Sequence, residues 1–204
     1  MITRRNISVI EVGPLCVNCY LVCDEGTKKA VLIVPGADGK KIQDMLERKK
    51  LELSCIMNTH GHGDHIGANS YFHAPIYIHA DDADSLTSPS KNLSSLFGFS
   101  VQSRPASYFL RDGEKITIDG LEFMVIHTPG HTAGSVCLLY RNVLFSGDTL
   151  FCEGVGRTDL PGGSLEKLKE SIQKLYKLPD STIVYPGHGT ETTIGHEKRH
   201  NPWT

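Results

Sequence analysis

The segment THGHGDH at residues 59–65 constrains this chain more than any other part of the sequence. It holds three imidazoles and a carboxylate within six positions, directly after an apolar run that ends near Met57. On a regular strand or helix these side chains cannot all point in one direction. A tight loop can gather them, and we expect Gly61 and Gly63 to supply the backbone freedom. The sequence therefore predicts a metal-binding loop at the end of a strand.

Further residues of metal-ligand type follow other apolar runs. His131 stands in TPGHT, Asp148 in SGDT and His188 in PGHG, each beside a glycine. Residues at strand ends collect on loops at a sheet edge, so we expect them to join the first segment. Structural zinc sites generally use Cys and close all four positions, whereas a His/Asp set leaves room for water. The pattern favours a catalytic metal site over the alternative, a chance His-rich surface loop.

Length and charge exclude several classes of protein. The 204 residues predict a single domain over 1–204. With 21 Lys+Arg against 23 Asp+Glu, the chain lacks the basic excess of a nucleic-acid-binding protein. No apolar run approaches the roughly 20 residues of a membrane helix. Arg4-Arg5 could open an export signal, but Glu11 interrupts the apolar stretch behind it, so we expect a cytoplasmic protein.

The six cysteines could suggest a second kind of metal or redox site. Cys16 and Cys19 are spaced as half a zinc knuckle or a redox pair, and Cys23 follows closely. Their segment reads as a strand, however, and no second CxxC exists to complete a four-cysteine site. We therefore expect all six to be reduced packing residues. The other three also lie in apolar runs: Cys55, Cys137 and Cys152.

Hydrophobic patterns predict a mixed fold. Strands are predicted over 7–12, 18–22, 30–34, 51–57, 76–78, 115–118, 121–126, 135–140, 143–145 and 182–185. Helices are predicted over 40–49, 66–72, 165–178 and 191–200, with Ser164 capping the third. In each half of the chain, most of the predicted strands come before the last helix. This order predicts an α/β protein of the α+β sandwich type, two sheets packed face to face with helices outside.

Residues 85–107 are rich in serine yet contain four large apolar side chains. A disordered linker carries few such residues, so we expect an ordered loop or lid. Simple packing of 93–99 into the core is the alternative.

The order HxHxDH, then single His, Asp and His residues, resembles the metallo-β-lactamase superfamily over nearly the whole chain. Within it, TPGHTAGS at 128–135 and SGDTLF at 146–151 are similar to the hydroxyacylglutathione hydrolase (glyoxalase II) branch. GRTDLPGG at 156–163, YPGHG at 185–189 and KNLS at 91–94 are similar to its short bacterial members. The resemblance implies an αββα fold.

The resemblance also implies two divalent metal ions, with zinc as the default and iron or manganese as compatible alternatives. One ion would be held by His60, His62 and His131, the other by Asp64, His65 and His188, with Asp148 bridging both. It further implies a small-molecule partner, a thioester of the S-2-hydroxyacylglutathione type, attacked by a hydroxide that the metals share. Asp64 would be the catalytic residue that orients this hydroxide.

Two features depart from the family pattern. Val34 stands in VPG where the family usually has the Asp of an Asp-Pro-Gly turn. Loss of a carboxylate that supports the ligands can cost roughly 10- to 100-fold in metal affinity or activity. The chain also ends at Thr204, whereas full-size relatives carry a C-terminal helical domain that supplies most glutathione contacts. We therefore expect a weaker metal site and a reduced glutathione site.

Several residues admit two interpretations. Arg157 could make a bidentate contact to a substrate carboxylate, or pair with a structural acid such as Asp159. His196 and His200 have the i,i+4 spacing of a zinc pair, but we expect surface histidines there. His127 is expected at a packed strand end.

Two other functions stay open at this point. A mononuclear-iron oxidoreductase of the persulfide dioxygenase type would use His60, His131 and Asp148 as a two-His, one-carboxylate face. A metal-holding protein with little activity would follow from Val34. A β-lactamase is not expected, because those enzymes act after export.

Overall fold

The computed structural model describes residues 6–203. It contains two six-stranded mixed sheets, a two-stranded sheet of Leu150–Phe151 and Gly154–Val155, and four α-helices. The strands are β1 (Ile7–Val12), β2 (Val17–Cys23), β3 (Lys29–Ile33), β4 (Glu52–Met57), β5 (Ile76–His79), β6 (Tyr108–Leu110), β7 (Lys115–Ile118), β8 (Leu121–His127), β9 (Val136–Tyr140), β10 (Val143–Gly147), β11 (Leu150–Phe151), β12 (Gly154–Val155), β13 (Ile183–Pro186) and β14 (Thr192–Thr193). The helices are α1 (Gly39–Lys49), α2 (Gly63–Ile66), α3 (Leu165–Leu175) and α4 (Ile194–His200). The Arg4-Arg5 pair lies outside the described residues.

Strand directions decide where the loops meet. The first sheet runs β1 to β6 in chain order, antiparallel up to β3 and parallel from β3 onwards. The second has the order β14-β13-β10-β9-β8-β7, and only its β10–β13 pair is parallel. Strands β8, β10 and β13 therefore point the same way, and the loops that follow them share one edge.

The predicted sandwich of two sheets is confirmed, and the alternation of side chains in the second sheet explains it. In β8, Phe123 and Val125 join the core shared with the first sheet, whereas Ile126 joins a smaller cluster on the opposite face. Leu144 of β10 and Leu175 of α3 belong to that same smaller cluster. Because neighbouring residues of a strand point to opposite faces, the sheet packs on its partner with one face and on helices with the other.

The helix predicted over 66–72 is wrong. Helix α2 ends at Ile66, and one 3₁₀ turn follows at Asn69–Tyr71. The Ala68 amide donates to the Pro35 carbonyl at 2.9 Å, which draws the backbone away from a continuing helix. Strand β6 was not predicted, because three residues are too few to show a period.

Four of the six cysteines are buried as predicted, but Cys16 and Cys152 are exposed. The packing interpretation is therefore wrong for these two. Cys16 ends the β1–β2 turn with a φ of 53°, and Cys152 lies in the two-residue turn between β11 and β12. Turn positions face solvent, which the apolar neighbours in the sequence do not reveal.

The segment 85–107 contains a 3₁₀ turn at Ser94–Phe97. Leu93 is buried there, whereas Phe97 and Phe99 are 58% and 43% exposed. Of these three residues, only Leu93 packs into the core. A lid role for the segment 85–107 stays a prediction. No helix within residues 6–203 is long and apolar enough to cross a membrane.

Candidate metal centre

Four loops bring the predicted ligands to one edge of the sandwich, and each follows a strand: β4, β8, β10 or β13. Backbone hydrogen bonds tie the loops together. The Val136 amide donates to the Thr59 carbonyl at 2.8 Å, which joins the first loop to the base of the second. The Gly187 amide donates to the Gly147 carbonyl at 2.8 Å and joins the last two. A hydrogen bond of 2.9 Å between Thr128 Oγ1 and Thr149 Oγ1 joins the second loop to the third, so the four loops form one connected unit across both sheets.

The first group of donors comprises His60, His62 and His131. The His131 Nε2 atom lies 2.9 Å from His62 Nδ1. The His60 ring lies 4.8 Å from the His62 ring and 4.7 Å from the His131 ring, centroid to centroid. All three residues are buried. Their nitrogens converge on one point, as three ligands of a single ion would.

The second group comprises Asp64, His65 and His188. Asp64 Oδ2 lies 3.6 Å from the Nε2 atom of each histidine, and these two nitrogens are 3.2 Å apart. Asp148 stands between the groups. Its Oδ1 atom lies 3.4 Å from His65 Nε2, and its Oδ2 atom lies 3.6 Å from His131 Nε2. One carboxylate thus faces both groups, as a bridging ligand would.

These donors fit a pair of divalent ions. Atoms bound at 2.0–2.1 Å to a tetrahedral zinc would lie about 3.4 Å from one another, close to the separations in the second group. Within residues 6–203, His60 Nε2 and Asp148 Oδ1 are buried without a hydrogen-bond partner. An unsatisfied buried polar atom is destabilising, and a cation would satisfy both. The assignment of individual ligands stays a prediction.

Backbone carbonyls orient two of the imidazoles. His131 Nδ1 donates to the Arg157 carbonyl at 2.8 Å, and His188 Nδ1 donates to the Leu15 carbonyl at 3.0 Å. In the neutral imidazole each contact places the proton on Nδ1, so Nε2 is turned into the centre with its lone pair free to bind metal. Sequence reasoning missed both acceptors, because a main-chain carbonyl carries no residue-type signal.

Asp82 is a further residue that the sequence did not single out. Its Oδ2 atom accepts from the Gly61 amide at 2.8 Å and from Thr132 Oγ1 at 2.7 Å. Its Oδ1 atom accepts from the Gly134 amide at 2.9 Å. Gly61 lies between two ligands of the first loop, and Thr132 follows His131. The buried carboxylate therefore holds two ligand loops in register.

The glycines of the first loop have a different role from the one predicted. Neither Gly61 nor Gly63 has a positive φ. A Cβ atom on Gly61 would instead lie 2.6 Å from the Ser85 Cβ, and one on Gly63 would lie 2.9 Å from the Ser94 Cβ. Close packing against the segment 85–94 requires these glycines, rather than an unusual backbone conformation.

Burial and neighbouring side chains together set the charge state of the donors. Burial lowers the pKa of His62 to about 3, with help from neighbouring imidazoles. The pKa of His60 falls for the same reasons. Burial alone raises the pKa of Asp64, but His65 and His188 outweigh it and hold the carboxyl well below its usual range. Neutral imidazoles and an ionised carboxylate are the metal-binding forms.

The remaining candidates lie outside the two groups. The Arg157 guanidinium pairs with Asp159 through contacts of 2.8 and 2.7 Å, as in the second of its two predicted roles. Arg157 also lines the cavity over the donors. A substrate contact stays a prediction. His196 Nε2 lies 2.9 Å from Glu153 Oε1, and neither residue belongs to the two donor groups.

Another pair of histidines resembles a ligand set without suiting one. The His79 and His127 rings lie 4.1 Å apart and stack within 7° of parallel, near Asp81. A metal must lie in the plane of each imidazole that binds it, and parallel stacked rings share no such plane. As expected, His127 ends a strand and packs there.

Comparison with known proteins adds an independent line of evidence. The family model described as the metallo-β-lactamase superfamily matches residues 12–188. A Haemophilus influenzae protein named hydroxyacylglutathione hydrolase GloC is 37% identical over 207 residues, covering 97% of each chain.

Solved structures agree with this match. The structure of BLEG-1 B3 metallo-β-lactamase has a TM-score of 0.93 at 41% identity, covering 97% of this chain and 98% of the other. TTHA1623 in a di-iron-bound form has a TM-score of 0.86 at 35% identity, covering 97% and 100%. ETHE1 from Myxococcus xanthus has a TM-score of 0.79 at 32% identity, covering 96% and 83%. On these matches, the chain belongs to the metallo-β-lactamase superfamily.

Proposed function

We propose that this protein is a dinuclear metal-dependent hydrolase that cleaves thioesters, with S-2-hydroxyacylglutathione as the reference substrate type. The observation that carries the proposal is the convergence of both donor groups on Asp148, whose Oδ2 atom lies 3.6 Å from His131 Nε2 of the first group and 3.7 Å from His188 Nε2 of the second. The name of the Haemophilus influenzae relative supports the thioester. Zinc is the proposed metal, and the di-iron form of TTHA1623 keeps iron as an alternative, beside manganese.

Bound divalent ions supply Lewis acidity, which acidifies a water molecule and polarises the substrate carbonyl. Asp64 serves as both ligand and catalytic residue. Its side chain is 24% exposed and lines the cavity over the donors, so an oxygen can accept a hydrogen bond from the attacking water and orient it. A thiolate is a good leaving group, and the chain therefore needs no separate general acid.

A persulfide dioxygenase is the second candidate, and the likeness to ETHE1 favours it. That chemistry would use His60, His131 and Asp148 alone. The position of His188 speaks for the hydrolase, because its Nε2 atom lies 3.6 Å from Asp64 Oδ2 within the second donor group.

One pair of assays separates the two functions. Metal-loaded protein is tested for S-lactoylglutathione hydrolysis and for oxygen uptake with glutathione persulfide, beside the variants His131→Ala and His188→Ala. We expect hydrolysis without oxygen uptake, and its loss in both variants. Oxygen uptake that survives in His188→Ala but not in His131→Ala would establish the dioxygenase instead.

A further inference from the structure

We propose that the metal centre recognises its substrate through an apolar acyl chain rather than through the thiol carrier. This inference rests on the proposed thioester hydrolysis and extends it to the substrate class. It starts from the two cavities that meet at the metal centre.

The first cavity lies directly over the donors and has a volume of about 500 Å³. His62, Asp64 and His188 line one side of it. The rest of its lining is mostly apolar and includes Leu15, Phe97, Phe99, Phe151 and Leu160. Leu15 is 50% exposed, and the first two phenylalanines are exposed as well. Large apolar side chains grouped around a reactive centre indicate a surface that an apolar ligand covers.

A second cavity of about 500 Å³ lies beside the first and shares part of its wall. Leu15, Asp64 and Phe99 line both, so the way between them passes directly beside the reacting groups. Its remaining wall is again mostly apolar and includes Val12, Pro14, Val17, Ala37 and Val101. A carbonyl at the metal centre can therefore extend an acyl chain past Asp64 into this second space.

The charges around the two cavities do not suit an anionic carrier. Among their lining residues, all of which the structure describes, Arg157 is the one cation. Its guanidinium already makes two contacts to Asp159. The second cavity adds the carboxylate of Asp38. Apart from the metal ions, the two carboxylates of glutathione would find only this paired guanidinium as a positive partner among the lining side chains, so we expect the acyl chain to supply most of the binding energy.

Each methylene that enters an apolar cavity is expected to raise kcat/KM about fourfold. We therefore expect kcat/KM to rise about tenfold or more for each two-carbon extension of the acyl group. The same acyl group on glutathione and on the small neutral thiol N-acetylcysteamine should give values within about threefold of each other.

The experiment measures kcat/KM of the zinc-loaded protein for acetyl, butyryl, hexanoyl and octanoyl thioesters of both thiols. Phe99→Ala and Leu15→Ala are compared with Phe109→Ala, an exposed phenylalanine of β6 that lines neither cavity. We expect the octanoyl-to-acetyl ratio to fall severalfold in the first two variants and to stay unchanged in the third. In parallel, calorimetry measures the affinity of S-alkyl thioethers of the same chain lengths, which cannot be hydrolysed.

The outcomes distinguish this inference from the proposed function. Turnover that is independent of chain length, or that requires glutathione, overturns the acyl-chain inference and leaves the hydrolase intact. Affinity that rises with thioether length without any turnover supports the apolar site and overturns the hydrolase.

Discussion

At the scale of single residues, Val34 is the clearest departure from what its position requires. It is 1% exposed and has a φ of 57°, a region that costs a β-branched residue about 1–2 kcal/mol and that Asp and Asn enter more easily. The turn it starts touches the metal loop, since a Cβ on Gly36 would lie 1.8 Å from the Asp64 carbonyl oxygen. Within residues 6–203, buried His65 Nδ1 has no hydrogen-bond partner. The turn at Val34 is therefore kept, but the valine side chain offers no hydrogen-bond acceptor to the nearby metal loop.

Val34→Asp is expected to slow metal loss to a chelator about tenfold, because it restores a carboxylate beside the loop that carries Asp64 and His65. Val34→Asn is the matched control, since an amide suits the same backbone conformation without the charge. Metal retention equal to wild type in both variants would show that Val34 does not weaken the site.

Asp82→Asn is expected to lower metal affinity about 10- to 100-fold, because one amide cannot accept all the hydrogen bonds that the carboxylate accepts. Metal affinity is measured by competition with a chromogenic chelator. Asp84→Asn is the control, since Asp84 lies nearby but its exposed side chain pairs with Lys91. Similar metal affinity in the two variants would contradict the positioning role of Asp82.

At the scale of elements, helix α4 supports the wall of the substrate cavity through Glu197. This residue is 0% exposed and accepts from the Glu153 amide at 2.9 Å, in the turn between β11 and β12. It also accepts from Thr192 Oγ1 at 2.5 Å. Phe151, which ends β11, lines the cavity. A helix that carries none of the ligands thus fixes the hairpin that shapes the site.

Glu197→Ala is therefore expected to lower the free energy of unfolding by about 3 kcal/mol, because it leaves buried donors unpaired. Urea denaturation measures the change, and Glu170→Ala on the exposed face of α3 should change it by less than about 0.5 kcal/mol. A loss in Glu197→Ala no larger than in this control would remove Glu197 from the account.

Elements with a clear period could be predicted from the sequence, and others could not. Helix α3 shows its apolar stripe and its cap, where Ser164 Oγ accepts from the Lys167 amide. The segment after α2 shows apolar residues as well, but the contact of Ala68 with Pro35, distant in the chain, overrides local propensity. Tertiary contacts of this kind leave no mark on the local pattern.

The same reasoning explains which parts of the site could be predicted. Histidines and aspartates that follow a strand, such as His131 and Asp148, can be recognised as candidate ligands from the sequence. Asp82 is one acid among many there, and the Leu15 carbonyl has no signature at all. Their roles arise only when distant loops meet.

At the scale of the whole molecule, the buried histidines link stability to pH. The pKa values of His60, His62 and His65 are lowered in the folded protein, the first two chiefly by burial and mutual repulsion, the third chiefly by burial. Below about pH 6.5 the unfolded chain binds protons that the folded chain does not. The free energy of unfolding therefore falls as the pH falls. His188 opposes this trend. Burial lowers its pKa, but Asp64 and Asp148 raise it by more, and its contribution is lost only as pH rises.

Metal-free protein should therefore lose stability as pH falls from 6.5, by about 1.4 kcal/mol per pH unit for each histidine that stays neutral in the fold. Urea denaturation in excess chelator at several pH values measures this slope. A flat profile between pH 7 and 5 would show that these imidazoles are not held neutral by the fold.

Two metal ions, held on either side of Asp148, are proposed to act together in hydrolysis. Metal-free protein is titrated with zinc while thioester hydrolysis is followed, and turnover is plotted against zinc equivalents per chain. We expect turnover to rise to a plateau at two equivalents. A plateau already reached at one equivalent, or no turnover with two ions bound, would contradict it.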